Sequence, residues 1–124
     1  MKVRIHNNSI RLRLNRPEIA AILNGGHVEE KLEFGPDVLK TFRCVLVQEE
    51  GALAVTARYL PGVIEVVLPS ALAARWAESE EVGVQGMYAG GERPIAIAIE
   101  KDFQCLHKDK KDPNAFPNPA EVQA

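Results

Sequence analysis

The chain has 124 residues, 46% of them hydrophobic, and a formal net charge of −2 at pH 7. This length is typical of one domain, and the hydrophobic fraction is enough for a core, which argues against a disordered chain. The small net charge argues against a protein that holds nucleic acid or an anionic membrane by its overall charge. The cations are unevenly distributed, because residues 1–16 contain five of them and no carboxylate.

Neither a secretory signal nor a membrane span is evident in the sequence. The N-terminal stretch MKVRIHNN lacks a continuous apolar run, and no stretch reaches the roughly 18 apolar residues of a transmembrane helix. We therefore expect a cytoplasmic protein that does not associate with membranes. In that compartment Cys44 and Cys105 are expected to be free thiols that pack as small hydrophobic side chains.

The first segment of the chain predicts a β-hairpin. Residues 2–6 and 9–14 alternate charged and apolar side chains, which is the pattern of half-buried strands. Asn7 and Asn8 lie between them, and asparagine tolerates the positive φ of a tight hairpin turn. The hairpin therefore has one apolar face and one basic face.

Two helices are predicted, each directly after a strand. Asn15 and Glu18 have the spacing of a capping box, and Gly25-Gly26 would end the first helix. The second helix is expected to open at Pro69-Ser70 and to include the run ALAARWAES. The remaining alternating or apolar runs predict six further strands, at residues 27–34, 38–48, 52–59, 63–68, 82–88 and 95–103.

The two halves of the chain match in pattern when one is shifted by 54 positions. This shift places Ile10 on Ile64, Leu12 on Val66, Leu14 on Leu68, Ile22 on Trp76, Val28 on Val82, Phe34 on Tyr88, Phe42 on Ala96 and Cys44 on Ala98. We interpret the halves as pseudo-repeats of the plan ββαββ, at about 1–48 and 52–103. They would form a single domain over 1–106, followed by a polar, proline-rich tail over 107–124.

The expected fold class is α+β, with about eight mostly antiparallel strands and two helices. A meander of these strands could form an open, twisted sheet with both helices on one face. It could also close into a barrel, which would remove the exposed strand edges.

Basic side chains at alternate strand positions are the main functional signal. Arginine grips phosphate or carboxylate with its two-pronged guanidinium group, and lysine does so as a point charge. On an open sheet these side chains would face solvent, whereas inside a barrel they would need water, ion pairs or a ligand. The candidate anion-binding residues are Lys2, Arg4, Arg11, Arg13, Arg43 and Arg58.

Signals for metal binding or catalysis are weak. Glu29, Glu30 and Glu33 could hold Mg²⁺ together with a phosphate, but many edge strands carry such charges. Cys105 and His107 offer two ligands, which do not make a zinc site. The sequence contains no phosphate-binding glycine loop and no nucleophile-elbow pattern. We therefore assign no catalytic residue, no metal ligand and no cofactor.

Two resemblances to known families add to this interpretation. The runs KVRIHNNSIRLRL near the start, with EKDFQCL and FPNP near the end, resemble a family of short bacterial proteins of unknown function. That similarity covers most of the chain and implies no activity. The repeated strands and helix, with basic residues at alternate strand positions, are similar in topology to the triphosphate-tunnel (CYTH-type) barrel proteins.

The second resemblance implies hydrolases or cyclases that bind triphosphates through basic side chains and a divalent metal. The marker of those proteins is an ExExK strand at the N-terminus. The corresponding strand here, MKVRIH, has no acidic residue, and the nearest approximation is Glu29-Glu30-Lys31. No catalytic residue is therefore carried over.

Three functions remain open from the sequence. The first is a non-enzymatic module that binds an anionic small molecule or a protein partner through a basic strand face. The second is a metal-dependent triphosphate hydrolase in which Arg11, Arg13, Arg43 and Arg58 hold phosphates and Glu30 or Glu65 holds the metal. The third is an adaptor that docks by a sheet edge or by its tail. Binding without catalysis is favoured, because an enzyme also needs a converging acid and base.

Overall fold

A computed structural model describes residues 1–103 and Phe116 of the chain. The described residues form eight strands, two α-helices and one 3-10 turn at Val38–Lys40. The helices are α1 (Arg16–Leu23) and α2 (Ser70–Glu78). The strands are β1 (Lys2–His6), β2 (Ser9–Leu14), β3 (His27–Glu33), β4 (Thr41–Glu49), β5 (Thr56–Leu60), β6 (Val63–Pro69), β7 (Gly83–Tyr88) and β8 (Ile95–Lys101).

The strands form two separate four-stranded sheets. The first sheet has the order β1-β2-β8-β7, and the second sheet has the order β3-β4-β6-β5. The central pairs β2/β8 and β4/β6 are parallel, and the other four pairs are antiparallel. The α+β class with mostly antiparallel strands is confirmed. The single meander is wrong, and so is the closed barrel, because neither sheet of the described residues closes on itself.

Exchanging the two halves of the chain converts the strand order of one sheet into that of the other. Each half contributes one hairpin to each sheet, so the halves interlock through the two parallel pairs. Ile10 of the first half corresponds to Ile64 of the second half. In the parallel pairs, Ile10 lies opposite Ile97, and Ile64 lies opposite Cys44. The counterpart of Cys44 is therefore Ile97 and not Ala98. The constant shift fails because the second-half hairpin is shorter.

The length difference is visible in the paired residues of the two hairpins. Val28 pairs with Leu46, 18 residues later, whereas Val84 pairs with Ile99, 15 residues later. The counterpart of Val28 is consequently Val84, two positions beyond the expected Val82. The uniform shift of 54 therefore misplaces Val28 by two positions, which keeps it on the same strand face, and Cys44 by one position, which moves it to the opposite face.

Local sequence signals fix the turns and the first helix as expected. Asn7 and Asn8 have φ values of 46° and 59°, which are the conformations required by the predicted tight turn. Asn15 and Glu18 form the reciprocal capping box of α1. Strand β4 begins three residues later than predicted, because the Asp37 side chain caps the 3-10 turn that precedes it.

The core fills the space between the two sheets and is closed at one end by the helices. Ile10, Leu12 and Leu14 face inward from β2 and are at most 5% exposed. Ile22 of α1 and Trp76 of α2 are each 1% exposed and pack against this cluster. Strands β2 and β6 run directly into the two helices, and the helices contact each other at one end of the molecule. The turns of the hairpins form the opposite end, which we call the open end.

The sheets approach each other along two seams between edge strands. At one seam, a Cβ atom on Gly86 of β7 would overlap the carbonyl oxygen of Val55, just before β5. At the other seam, the α-amino group of Met1 bonds to Glu18 of α1 and to Glu30 of β3, the latter at 2.8 Å. Neither α1 nor α2 has the length and apolar character that crossing a membrane requires.

Candidate functional site

The outward side of the first sheet carries the N-terminal cations. Arg11 and Arg13 alternate with the buried side chains of β2, so they point away from the core. Strand β1 places Arg4 directly opposite Arg11 and Lys2 directly opposite Arg13. We call the outward side chains of β1, β2, β8 and β7 the basic face.

Cations exceed carboxylates on the basic face. Glu100 of β8 lies 3.5 Å from the Nε atoms of both Arg11 and Arg13. Lys2 pairs with Asp102 at 2.9 Å. For Arg4, no ion pair occurs with any residue that the structure describes. Two carboxylates therefore face four cations, and the face keeps an excess of positive charge.

A groove of about 430 Å³ runs along the basic face beside these cations. Arg4 and Arg11 line one side of it. The apolar run of β8 turns its isoleucines inward and its alanines outward, so Ala96 and Ala98 form a low floor. The Gln85 side chain adds a neutral hydrogen-bonding group on β7. The groove therefore has basic side chains along one wall and small side chains along its floor.

The other two candidate arginines lie on the outward side of the second sheet. Arg43 bonds to Glu29, with Nε at 3.0 Å from the carboxylate, and this bond lowers the pKa of Glu29. Arg58 bonds to Glu65 at 2.5 Å and to Glu49 at 2.6 Å. These bonds raise the pKa of the Arg58 guanidinium. The structure thus separates Arg43 and Arg58 from the other four cations and gives both arginines carboxylate partners.

The acidic cluster considered for a metal is dispersed in the structure. Glu29 and Glu30 have successive positions on β3, so they point to opposite faces of the second sheet. Glu30 bonds to the α-amino group of Met1, and Glu33 pairs with Lys31 at 3.1 Å. Among residues 1–103 and Phe116, no group of three or more histidine, cysteine, aspartate or glutamate side chains is arranged to hold a metal ion.

Cys44 is a buried free thiol on the inward side of β4. Burial, together with the charge of Glu30, raises the pKa of Cys44 to about 11, so the thiol stays protonated and unreactive near neutral pH. Cys105 and His107 lie outside the described residues, as does the tail apart from the exposed Phe116. Docking by that tail stays a prediction.

A pocket at the open end was not foreseen from the sequence. It has a volume of about 220 Å³ and opens between the two sheets, and we call it the open-end pocket. Its apolar lining consists mainly of Ile5, Ile10, Ala57, Tyr59, Ile64, Tyr88 and Ile95. The pocket walls come from strands of both halves of the chain. The pairing between the halves cannot be recognised from the sequence, so the pocket could not be either. Tyrosines at inward strand positions were the one sequence signal that could have indicated it.

The fold defines a two-sheet α+β domain with a pseudo-twofold plan and one basic sheet face. The chain belongs to a family of unknown function, DUF7009, whose model matches residues 1–120. This match confirms the resemblance to a family of unknown function and brings no activity with it. The search of the curated proteins gave no match.

Proposed function

We propose that this protein is a binding module for an anionic small molecule, held by its phosphate or carboxylate groups on the basic face. The groups that would hold the ligand are Lys2, Arg4, Arg11 and Arg13. The proposal narrows the six candidates of the sequence to the four on one sheet. It involves no chemical step.

The observation that carries the proposal is a double like-charge pairing on one hairpin. Arg4 lies directly opposite Arg11, and Lys2 directly opposite Arg13. Like charges at directly opposed positions of an antiparallel pair destabilise the pair. Two such pairs in succession, with only Glu100 and Asp102 as described counter-charges, are a cost that a bound anion would relieve.

The second sheet provides an internal comparison. There, Arg58 lies directly opposite Glu65, and the two side chains bond to each other. Arg43 lies opposite Lys31, but it is compensated by its bonds to Glu29. On the second sheet, both strand arginines therefore have carboxylate partners. On the first sheet, the cations outnumber the carboxylates.

The spacing of the cations indicates the size of the anion. The two like-charged pairs are two residues apart along the strands, which corresponds to about 6.6 Å. A ligand with two anionic groups at about that separation would contact both pairs, as a polyphosphate or a dicarboxylate does. Bidentate arginine contacts suit either group. The groove beside Arg4 and Arg11 has room for a neutral portion of the ligand.

Ligand-induced stabilisation tests this proposal. Thermal unfolding is measured at low salt with phosphate, pyrophosphate, tripolyphosphate and succinate, because a ligand that binds only the folded state raises the melting temperature. We expect a concentration-dependent rise with at least one anion, and its loss in the Arg4→Gln/Arg11→Gln variant. Arg58→Gln is the matched control and should keep the rise. No rise with any of the anions, or an equal loss in the control, would refute the proposal.

The hydrolase alternative is tested with the same protein. Tripolyphosphate is incubated with the protein and Mg²⁺ or Mn²⁺, and released phosphate is measured. Binding without catalysis predicts no release above the protein-free control. Release that disappears in Arg4→Gln/Arg11→Gln would replace the binding module by an enzyme that uses the same face.

A further inference from the structure

We propose that the open-end pocket is a second binding site, which takes a small, uncharged and mainly apolar molecule such as an aromatic ring with one polar substituent. This site is distinct from the groove on the basic face, because most of its lining side chains point between the sheets, although Ser9 and Ile10 border both. It does not depend on the anion proposal.

Size and shape support a small molecule. The pocket has a volume of about 220 Å³ and is walled by side chains of both sheets. An apolar cavity of roughly 150 Å³ in another protein admits benzene, so this pocket has room for a ring with a substituent. Concave, mainly apolar sites with a few polar groups at the rim are typical of small-molecule binding.

The chemistry of the lining supports an uncharged ligand. Ile10 is 5% exposed and joins the pocket to the core. The one cation in the lining is Arg58, whose guanidinium is already bonded to Glu49 and Glu65. The uncharged polar residues of the lining are Tyr59, Tyr88, Asn8 and Ser9. An anion would find no unpaired cation in this lining, and a cation would find no carboxylate.

The pseudo-twofold plan explains why the space exists at this seam. The counterpart of Ala57 in the first half is Val3, so the second half has the smaller side chain at this position. The hydroxyl end of Tyr88 lies close to Gly90, where a Cβ atom would overlap it. Gly86 permits the close approach of β7 to Val55 and so fixes the distance between the walls.

Large apolar side chains remain exposed around the mouth of the pocket. Ile5 is 63% exposed, Tyr59 is 74% exposed and Tyr88 is 37% exposed. A ligand seated in the pocket would cover part of this surface and gain the corresponding transfer free energy. An aromatic side chain from a second copy of the chain would cover the same surface, and the experiment below separates the two occupants.

The test uses indole as the probe and amide chemical shifts as the readout. We expect saturable shifts on β5, β7 and β8 around Ala57, Tyr88 and Ile95, with the elution volume of the protein unchanged by indole. Ala57→Leu fills the pocket and should weaken indole binding at least tenfold. Val3→Leu enlarges the related position at the other seam and should leave binding unchanged within a factor of two.

A second variant keeps the test informative if Ala57→Leu does not fold. Tyr59 is largely exposed, so Tyr59→Ser removes a wall of the pocket without disturbing the core. It should weaken indole binding at least fivefold and leave the elution volume unchanged. Absent indole shifts, or unchanged binding in both pocket variants, would overturn the proposal. A change from dimer to monomer in Tyr59→Ser would also overturn it, by making this surface a contact between copies.

Discussion

Replacing Arg4 with glutamine should stabilise the ligand-free protein. Arg4 lies directly opposite Arg11, and it has no ion pair with a described residue. Two unit charges about 6 Å apart in water repel each other by about 0.7 kcal/mol. Because long side chains can turn away from each other, we expect Arg4→Gln to raise the free energy of unfolding by about 0.5 kcal/mol, within the range typical of cross-strand pairs.

Urea unfolding at two salt concentrations measures this effect. The Debye length is about 30 Å at 0.01 M salt and about 3 Å at 1 M salt, so the gain should be present at low salt and shrink at high salt. A double-mutant cycle with Arg11→Gln isolates the coupling between the two side chains, which should be repulsive.

Arg58→Gln is the control, because it removes a cation that bonds to Glu49 and Glu65. It should lower the free energy of unfolding by up to about 1 kcal/mol, as expected for exposed pairs. A loss of stability in Arg4→Gln, or an attractive coupling with Arg11, would refute the argument that the basic face is strained by its own charge.

Three further predictions concern the fold. Gly86→Ala should lower the free energy of unfolding by about 2 kcal/mol or more in urea titrations, because the new Cβ overlaps the Val55 carbonyl; a neutral effect would contradict the close seam. Asn15→Ala removes the capping box of α1 and should cost about 1 kcal/mol by the same measurement, whereas an unchanged midpoint would argue against the cap. The pKa of Cys44 is raised to about 11 in the folded state, so the unfolded chain loses this proton first as the pH rises. Stability should therefore fall between about pH 9 and pH 11 more steeply in the wild type than in Cys44→Ala, and parallel pH profiles would contradict the burial argument.

The local elements of this fold follow from the sequence because their signals are local. The two asparagines at positions 7 and 8 meet the φ requirement of the turn, and alternation on both sides fixes which face is buried. The capping box of Asn15 and Glu18 sets the start of α1 within a few residues. Each of these features depends on side chains that are neighbours along the chain.

The pairing between halves could not be predicted, because its partners are far apart in sequence. Ile10 pairs with Ile97 in a parallel ladder, and no turn residue or spacing marks such a pair. The two sheets, their seams and the open-end pocket all depend on this pairing. Alternation gave the correct face for Arg11 and Arg13, but it could not show that Arg58 would bond to Glu65.

The most direct test of the central claim is a titration of isotopically labelled protein with tripolyphosphate at low salt, followed by amide chemical shifts. An anion held on the basic face should give saturable shifts concentrated on the first sheet, around Arg4, Arg11 and Ala98. Shifts centred on Arg43 and Arg58 of the second sheet, or no saturable shift at all, would contradict it.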